Sequence, residues 1–125
     1  VADGYKGIHH DPHDAANFVM LLAEFRKQYA AIGRPDLLLT MAGPGPNQAR
    51  HYNLPDAHPY PDLVNLMAYD YRGGWSPSAG HHTNLCDAQL DPAPPAARVS
   101  TDKLVRFYRD TSGIPAEKLV VGSAF

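Results

Sequence analysis

The sequence predicts an α/β fold built on a parallel sheet, as a section of a larger α/β barrel or open sheet. Three observations point there. Three short apolar runs, at residues 37–42, 63–69 and 119–125, alternate with segments of helical periodicity. The runs are almost continuously apolar rather than alternating, which is the pattern of parallel strands covered on both faces. The chain also opens in an irregular segment and stops on its third apolar run, and a three-stranded parallel sheet of this kind would expose much of its core. With no initiator methionine and no basic-then-apolar leader at Val1, the expectation is a processed or excised piece.

The bulk composition narrows the function classes. The chain has 125 residues, 44% hydrophobic and 19% charged, which is enough for one ordinary globular domain. A formal net charge of -2 supplies no electrostatic argument for nucleic acid or an anionic membrane. No apolar run approaches the roughly 20 residues needed to span a bilayer. Cys86 stands alone, so neither a disulfide framework nor a thiolate metal site can be built within the chain. It is a lone loop thiol or the partner of a cysteine elsewhere.

Residues 1–10 are irregular, with Gly4 and Gly7. A helix start follows, with Asp11 as N-cap, Pro12 at the first helical position and Asp14 in the first turn. Phe18, Leu22, Phe25, Tyr29 and Ile32 recur at helical spacing and predict its apolar face. Glu24, Arg26, Lys27 and Gln28 fall on the other side. Gly33 stops the helix and Pro35 keeps it stopped. Residues 37–42, L-L-L-T-M-A, are too few for a helix and run into G-P-G-P, so they read as a buried strand. Residues 47–52 form a helical turn before a proline-rich loop, and residues 63–69 make the second strand. A long loop rich in Gly, Pro, Ser and Ala reaches Val99. Ser100 then caps a second helix, with Leu104, Val105, Phe107 and Tyr108 on its apolar side. Gly113 closes it, and L-V-V-G-S-A-F is the third strand.

In parallel α/β folds, functional groups gather at the carboxyl ends of the strands. Those ends are Met41-Ala42, Tyr69-Asp70-Tyr71 and the neighbourhood of Phe125. A carboxylate and a phenol at one strand end can orient or polarise a polar group. Trp75 follows closely and offers the flat apolar face on which sugar rings stack. The structural alternative stays open at this point: Asp70 as a turn cap, Tyr69 in the core, Trp75 under the loop. Histidines make a rival site, with His9, His10 and His13 near the first helix and His81-His82 in the long loop. Zinc needs donors that converge on one face. His9 precedes the helix cap, so its spacing to His13 does not converge, and no metal or other cofactor is expected.

The segment N-L-M-A-Y-D-Y, preceded by D-A-A-N-F-V-M-L-L-A-E-F-R and followed by G-H-H-T-N-L and a K-L-V-V-G ending, resembles the family 18 glycoside hydrolases, the chitinases. The likeness spans essentially the whole chain. It implies a (β/α)8 barrel of which residues 1–125 are a C-terminal-half section, from after the catalytic acid motif on strand four through strand seven. In such enzymes a glutamic acid at the end of strand four protonates the leaving oxygen, and the substrate's own acetamide oxygen attacks the anomeric carbon. They are an exception to the two-carboxylate scheme of glycoside hydrolysis. The roles carried over fall on Tyr69 and Asp70, which would position the acetamide. Met41, Ala42, Met67, Tyr71 and Trp75 would line the sugar pocket. The implied partner is chitin or a chito-oligosaccharide, no metal or organic cofactor is called for, and secretion is implied by the extracellular polymer.

One departure limits the inference. The family's acid motif, D-x-x-D-x-D-x-E, is absent. Asp3-Gly4 resembles its opening, but Lys6, Ile8 and His10 stand where acidic residues should follow. The expectation is that the motif precedes Val1. Glu24 and Glu117 are the only glutamates, and both sit on or beside helices. Two functions therefore remain, a section of a hydrolytic chitinase or a chitin-binding relative that has lost its acid.

Overall fold

The computed structural model describes residues 7–124, so the expectations placed on Asp3-Gly4, Lys6 and Phe125 lie outside the described residues. The elements are α1 (Asp14–Ala31), β1 (Thr40–Gly43), α2 (Pro46–Ala49), α3 (Leu54–Ala57), β2 (Leu63–Met67), α4 (Thr101–Arg106) and β3 (Leu119–Gly122). A π-helical turn, Phe107–Thr111, extends α4. The strands form one parallel sheet in the order β1-β2-β3, with Met41 opposite Val64 and Leu66 opposite Val121.

Helix α1 begins slightly later than its sequence signals suggest. His13 occupies the N-cap without a side-chain cap, yet Asp11 still organises the entry. Its carboxylate accepts from the His13 amide at 2.8 Å, while the Asp14 carboxylate accepts from the Asp11 amide at 3.0 Å. At the other end Gly33 adopts φ +70, and the Arg34 amide reaches back to the Tyr29 carbonyl at 2.8 Å. Only a residue without a Cβ takes that conformation cheaply, which is why the helix stops there.

The packed stripe of α1 differs from the predicted one. Leu22 is buried with Leu39 and Ala57, and Phe18, Val19, Tyr29 and Tyr60 pack around them. Phe25 and Ile32 are exposed, whereas Arg26 lies within the stripe. The reason is electrostatic. Arg26 donates to the carbonyls of Tyr60 and Leu37 and pairs with Asp62 at 2.7 Å. Asp62 in turn accepts from the Leu39 amide at 2.8 Å. One guanidinium thereby fastens α1 to the entries of β1 and β2. The Leu39 amide, followed by Arg26, holds the Asp62 carboxyl below the ordinary carboxylate range.

That tie also explains why β1 starts at Thr40 rather than at Leu37. The Leu39 amide and carbonyl are both engaged by Asp62, which leaves them out of the strand ladder. The proline-rich loop contains a turn of helix not foreseen in the sequence, α3, with proline in its first turn, where no intrahelical N–H is needed. Ser100 caps α4 as expected, its Oγ accepting from the Lys103 amide at 3.4 Å, and Leu104 and Tyr108 are wholly buried. Gly113, at φ +72, closes the helix.

The sheet is covered on one face among the described residues, not on two. Met41, Gly43, Val64 and Leu66 are buried, while Ala42, Asn65 and Val120 lie in one lateral row on the open face. A continuously apolar run carries no phase, so the sequence could not say which alternate residues face the helices. Gly43 marks the tightest packing. A Cβ there would lie 2.9 Å from Leu66 Cδ2, 3.0 Å from Val64 Cγ1 and 3.1 Å from the Tyr108 hydroxyl.

Candidate active site

The carboxyl ends of β1 and β2 open into a recess of about 680 Å³. One wall is the Gly-Pro turn and α2, from Pro44 to Gln48, with Tyr52 behind it. The other wall is Met67, Tyr69, Asp70, Tyr71 and Arg72, with Trp75 at the rim. The α2 wall is anchored from below, since the buried Tyr108 hydroxyl donates to the Pro44 carbonyl at 2.9 Å. Burial drives the ionisation of that phenol far up, so it remains a donor.

Asp70 is the pivot of the site. Alone among the described non-glycine residues it takes a positive φ, of 59°. Aspartate tolerates this region better than most residues, but the strain is still on the order of 1 kcal/mol. The twist separates the flanking tyrosines. Tyr71 turns into the core, only 9% exposed, with its hydroxyl 3.5 Å from Thr101 Oγ1. Burial pushes the Tyr71 phenol up, with the Thr101 contact working weakly against it. Tyr69 instead lies half-buried on the open face, its ring 3.1 Å from where a Cβ on Gly122 would sit. The absent side chain at Gly122 makes room for the phenol. Tyr-Asp-Tyr therefore does two jobs, one tyrosine for the recess and one to hold the turn.

Trp75 is 70% exposed and folds back over Gly73, where an added Cβ would meet its ring at 2.4 to 2.7 Å. The turn beneath is fixed by Ser76, whose Oγ accepts from the Gly73 amide at 3.1 Å. The long loop is braced at its root. Arg72 forms a two-oxygen contact with Asp91 at 2.9 and 3.0 Å. Thr83 Oγ1 donates to the Ala68 carbonyl at 2.7 Å, and the Asn84 amide group donates to the carbonyls of Cys86 and Val99. The Ala93 amide and then Arg72 hold the Asp91 carboxyl below its usual range.

The recess thus gathers Met67, Tyr69, Asp70, Tyr71 and Trp75, but not Met41 or Ala42. Met41, expected in the sugar pocket, lies outside this recess. It is 7% exposed and packed with Val64 and Leu66 on the helix side, because its neighbour Ala42 takes the open face and side chains alternate along a strand. Ala42 shares the open face but sits one row before Met67. Tyr71 contributes to the wall while its hydroxyl is turned away to Thr101. Among the described residues Asp70 is the one carboxylate lining the recess, and no glutamate lines it. No three His, Cys, Asp or Glu side chains converge to hold a metal ion among the described residues.

The sequence reading weighs His82 only within a rival histidine site and gives no role to Arg72, Thr83 or Asn84, although G-H-H-T-N-L already stands out as a motif. The side-chain contacts of Arg72, Thr83 and Asn84 with Asp91, Ala68 and Val99 cross intervals of 15 to 19 residues, which no local pattern reports.

A parallel sheet with a carboxylate, a phenol and an indole at its carboxyl edge is an arrangement to which a sugar could bind. The family model for glycosyl hydrolases family 18 matches residues 4–125, and the chain belongs to that family. Chitinase 1 of Aphanocladium album is 36% identical over 95% of this chain, and this chain spans 30% of that protein's length. The catalytic domain of psychrophilic chitinase B from Arthrobacter TAD20 superposes with a TM-score of 0.83 at 34% identity, covering 98% of this chain and 30% of that one. A family 18 N-acetylglucosaminidase from Paenibacillus barengoltzii gives a TM-score of 0.80 at 36% identity, covering 95% of this chain and 35% of that one. The three-stranded sheet agrees with a section of such a barrel.

Proposed function

We propose that residues 1–125 are a C-terminal-half section of a retaining chitinase acting on β-1,4-linked N-acetylglucosamine polymers. In this reading β1, β2 and β3 are strands five, six and seven of the (β/α)8 barrel. The observation that carries it is Asp70, strained at the carboxyl end of β2 and sharing one recess with Tyr69 and Trp75.

The chemistry follows from those groups. A sugar seated in the recess presents its acetamide to Tyr69 and Asp70. The phenol donates to the acetamide oxygen or accepts from its neighbourhood, and the Asp70 carboxylate accepts from the acetamide N–H. Held this way, the acetamide oxygen lies behind the anomeric carbon and attacks it as the glycosidic bond breaks. The product is a cyclic oxazolinium whose positive charge the Asp70 carboxylate offsets. Water then opens the ring with retention. Met67 supplies an apolar floor and Trp75 a stacking face for an adjoining sugar. Met41, enclosed in the core, does not line the recess.

The proton for the leaving oxygen must come from a glutamic acid, and none lines the recess. We therefore expect the 125-residue chain alone to give no appreciable hydrolysis. That same feature favours a second reading, a non-catalytic chitin-binding relative. The glutamate position of the longer protein separates the two. Chitin as polymer implies an extracellular site of action. Among the described residues no helix is long and apolar enough to cross a membrane.

The test is turnover of chitotetraose by the purified chain and by a longer chain that restores the preceding strand. Hydrolysis by the longer chain alone, lost on replacing its glutamate, supports the first reading. Binding without hydrolysis by either chain supports the second. Hydrolysis by the 125-residue chain itself would overturn the division of labour argued here.

A further inference from the structure

We propose that His82 is a positioning residue for Asp70, fixing the carboxylate at the recess through one shared proton. The inference rests on the acetamide-positioning reading of Asp70. Its geometric part stands on contacts within the long loop.

His82 Nε2 lies 3.3 Å from Asp70 Oδ1, and His82 Nδ1 lies 3.1 Å from the Arg72 carbonyl oxygen. The main chain of His82 is held as well, its carbonyl accepting from the Tyr71 amide at 3.0 Å. The next residue, Thr83, is tied to the Ala68 carbonyl at 2.7 Å. The imidazole is therefore placed by the root of the loop and does not hang from a free tip.

A carbonyl oxygen can only accept, so Nδ1 carries the hydrogen and donates it to Arg72. That choice fixes the other nitrogen. In the neutral ring Nε2 presents a lone pair, and a lone pair facing a carboxylate oxygen is repelled. The contact becomes attractive when Nε2 also carries a hydrogen and donates it to the carboxylate. His82 thus does more than fill space beside Asp70. It offers the carboxylate a donor from a fixed direction, conditional on a proton.

Asp70 needs such a donor. Its side chain is 64% exposed, and His82 is its one side-chain partner among the described residues. A solvent-facing carboxylate on a strained backbone would otherwise exchange among its rotamers. With Oδ1 engaged by His82, Oδ2 is left to accept the acetamide N–H. The neighbouring charges are otherwise committed. Arg72 is paired with Asp91, and Lys103 from α4 is paired with Asp87 at 2.7 Å. Tyr69, Tyr71 and the exposed His81 adjoin the pair in the chain, and Tyr52 lines the same recess.

The test begins with the 15N-labelled chain and its imidazole two-bond nitrogen–proton spectrum across pH. The expected result is a His82 that keeps a hydrogen on Nδ1 and takes up a second proton on Nε2, at a pH that Asp70→Asn moves, while the His81 signal stays in place. A ring whose single hydrogen sits on Nε2 with none on Nδ1, or a His82 signal indifferent to Asp70→Asn, overturns the proposal. In the longer chain, His82→Gln is expected to lower kcat about tenfold, as a misplaced positioning group does, with KM changed less than about twofold. Its pH–rate profile should also lose the limb that the shared proton contributes. An unchanged profile with unchanged kcat overturns the proposal. His82 is half exposed, so the substitution should leave the fold intact, and the reciprocal Asp70→Asn spectrum does not depend on it. If the spectra behave as expected but neither chain turns over chitotetraose, the Asp70–His82 pair stands and the hydrolytic reading falls.

Discussion

Replacing Tyr108 by phenylalanine tests whether the α2 wall of the recess is held from beneath. Tyr108 is fully buried, and its hydroxyl donates to the Pro44 carbonyl at 2.9 Å. The substitution keeps the ring, its edge-on contact with Phe107 and its packing on Leu104, so packing alone should change little. What is lost is one buried neutral hydrogen bond, with a net value of about 1 kcal/mol. The Pro44 carbonyl, itself buried, also loses that donor, which adds a desolvation penalty of about 1 kcal/mol or more. The expected loss is thus about 2 kcal/mol. For a domain of this size that corresponds to a fall in Tm of roughly 6–10 °C. Thermal unfolding followed by circular dichroism reads the stability. Amide chemical shifts read the site, and the largest changes are expected from Gly43 to Gln48. A Tm within about 1 °C of the parent, with those amides unmoved, would show that the Pro44 turn is held by something other than Tyr108.

Three further outcomes follow from the same geometry. Gly122→Ala places a Cβ 2.8 Å from the Leu66 carbonyl oxygen and 3.1 Å from the Tyr69 ring. It should destabilise by about 1–3 kcal/mol, as overpacking does, and displace the Tyr69 ring resonances, and silence in both would refute the close approach. Asp62 has a depressed folded-state pKa, so its contribution is present above its unfolded pKa and is lost as pH falls through the folded value. Asp62→Asn should therefore lower Tm at neutral pH and flatten the acid limb of a Tm-against-pH curve, and an unchanged acid limb counts against the Arg26–Asp62 tie. Trp75→Ala should weaken chito-oligosaccharide binding by roughly five- to thirtyfold, the order of 1–2 kcal/mol expected of an aromatic contact, without moving Tm by more than a degree or two. Equal binding by calorimetry would remove the indole from the site.

The sequence made the punctuation of the fold legible. Gly33 with Pro35, Ser100 and Gly113 each reports a local backbone requirement, and each sits where the structure ends or begins a helix. The parallel pairing of the strands was equally open to reading, because the three apolar runs are separated by helical segments. Phase was not legible. In L-L-L-T-M-A every residue but one is apolar, so nothing distinguishes Met41, packed inward, from Ala42 on the open face. Arg26 was assigned to solvent because a charged residue on a helix usually goes there, and the partners that draw it inward are 11 to 36 residues away. The site shows the same division. Tyr69, Asp70 and Trp75 could be singled out from their chemistry at a strand end. The left-handed turn at Asp70, which sends the two tyrosines apart, and the donor that His82 offers it depend on a loop closing over a long interval.

That loop closure has an evolutionary consequence. Arg72 and Asp91 pin its two ends together, and Thr83 pins its middle to the end of β2. Once the anchor points are fixed, doubling the length of chain strung between two of them costs only about 0.6 kcal/mol in closure entropy. The stretch between Trp75 and Gly80 can therefore lengthen, shorten or change composition while the strand register and Asp70 stay where they are. Under the proposed chitinase reading, preference along the sugar chain can drift in that stretch, independently of the groups at its root.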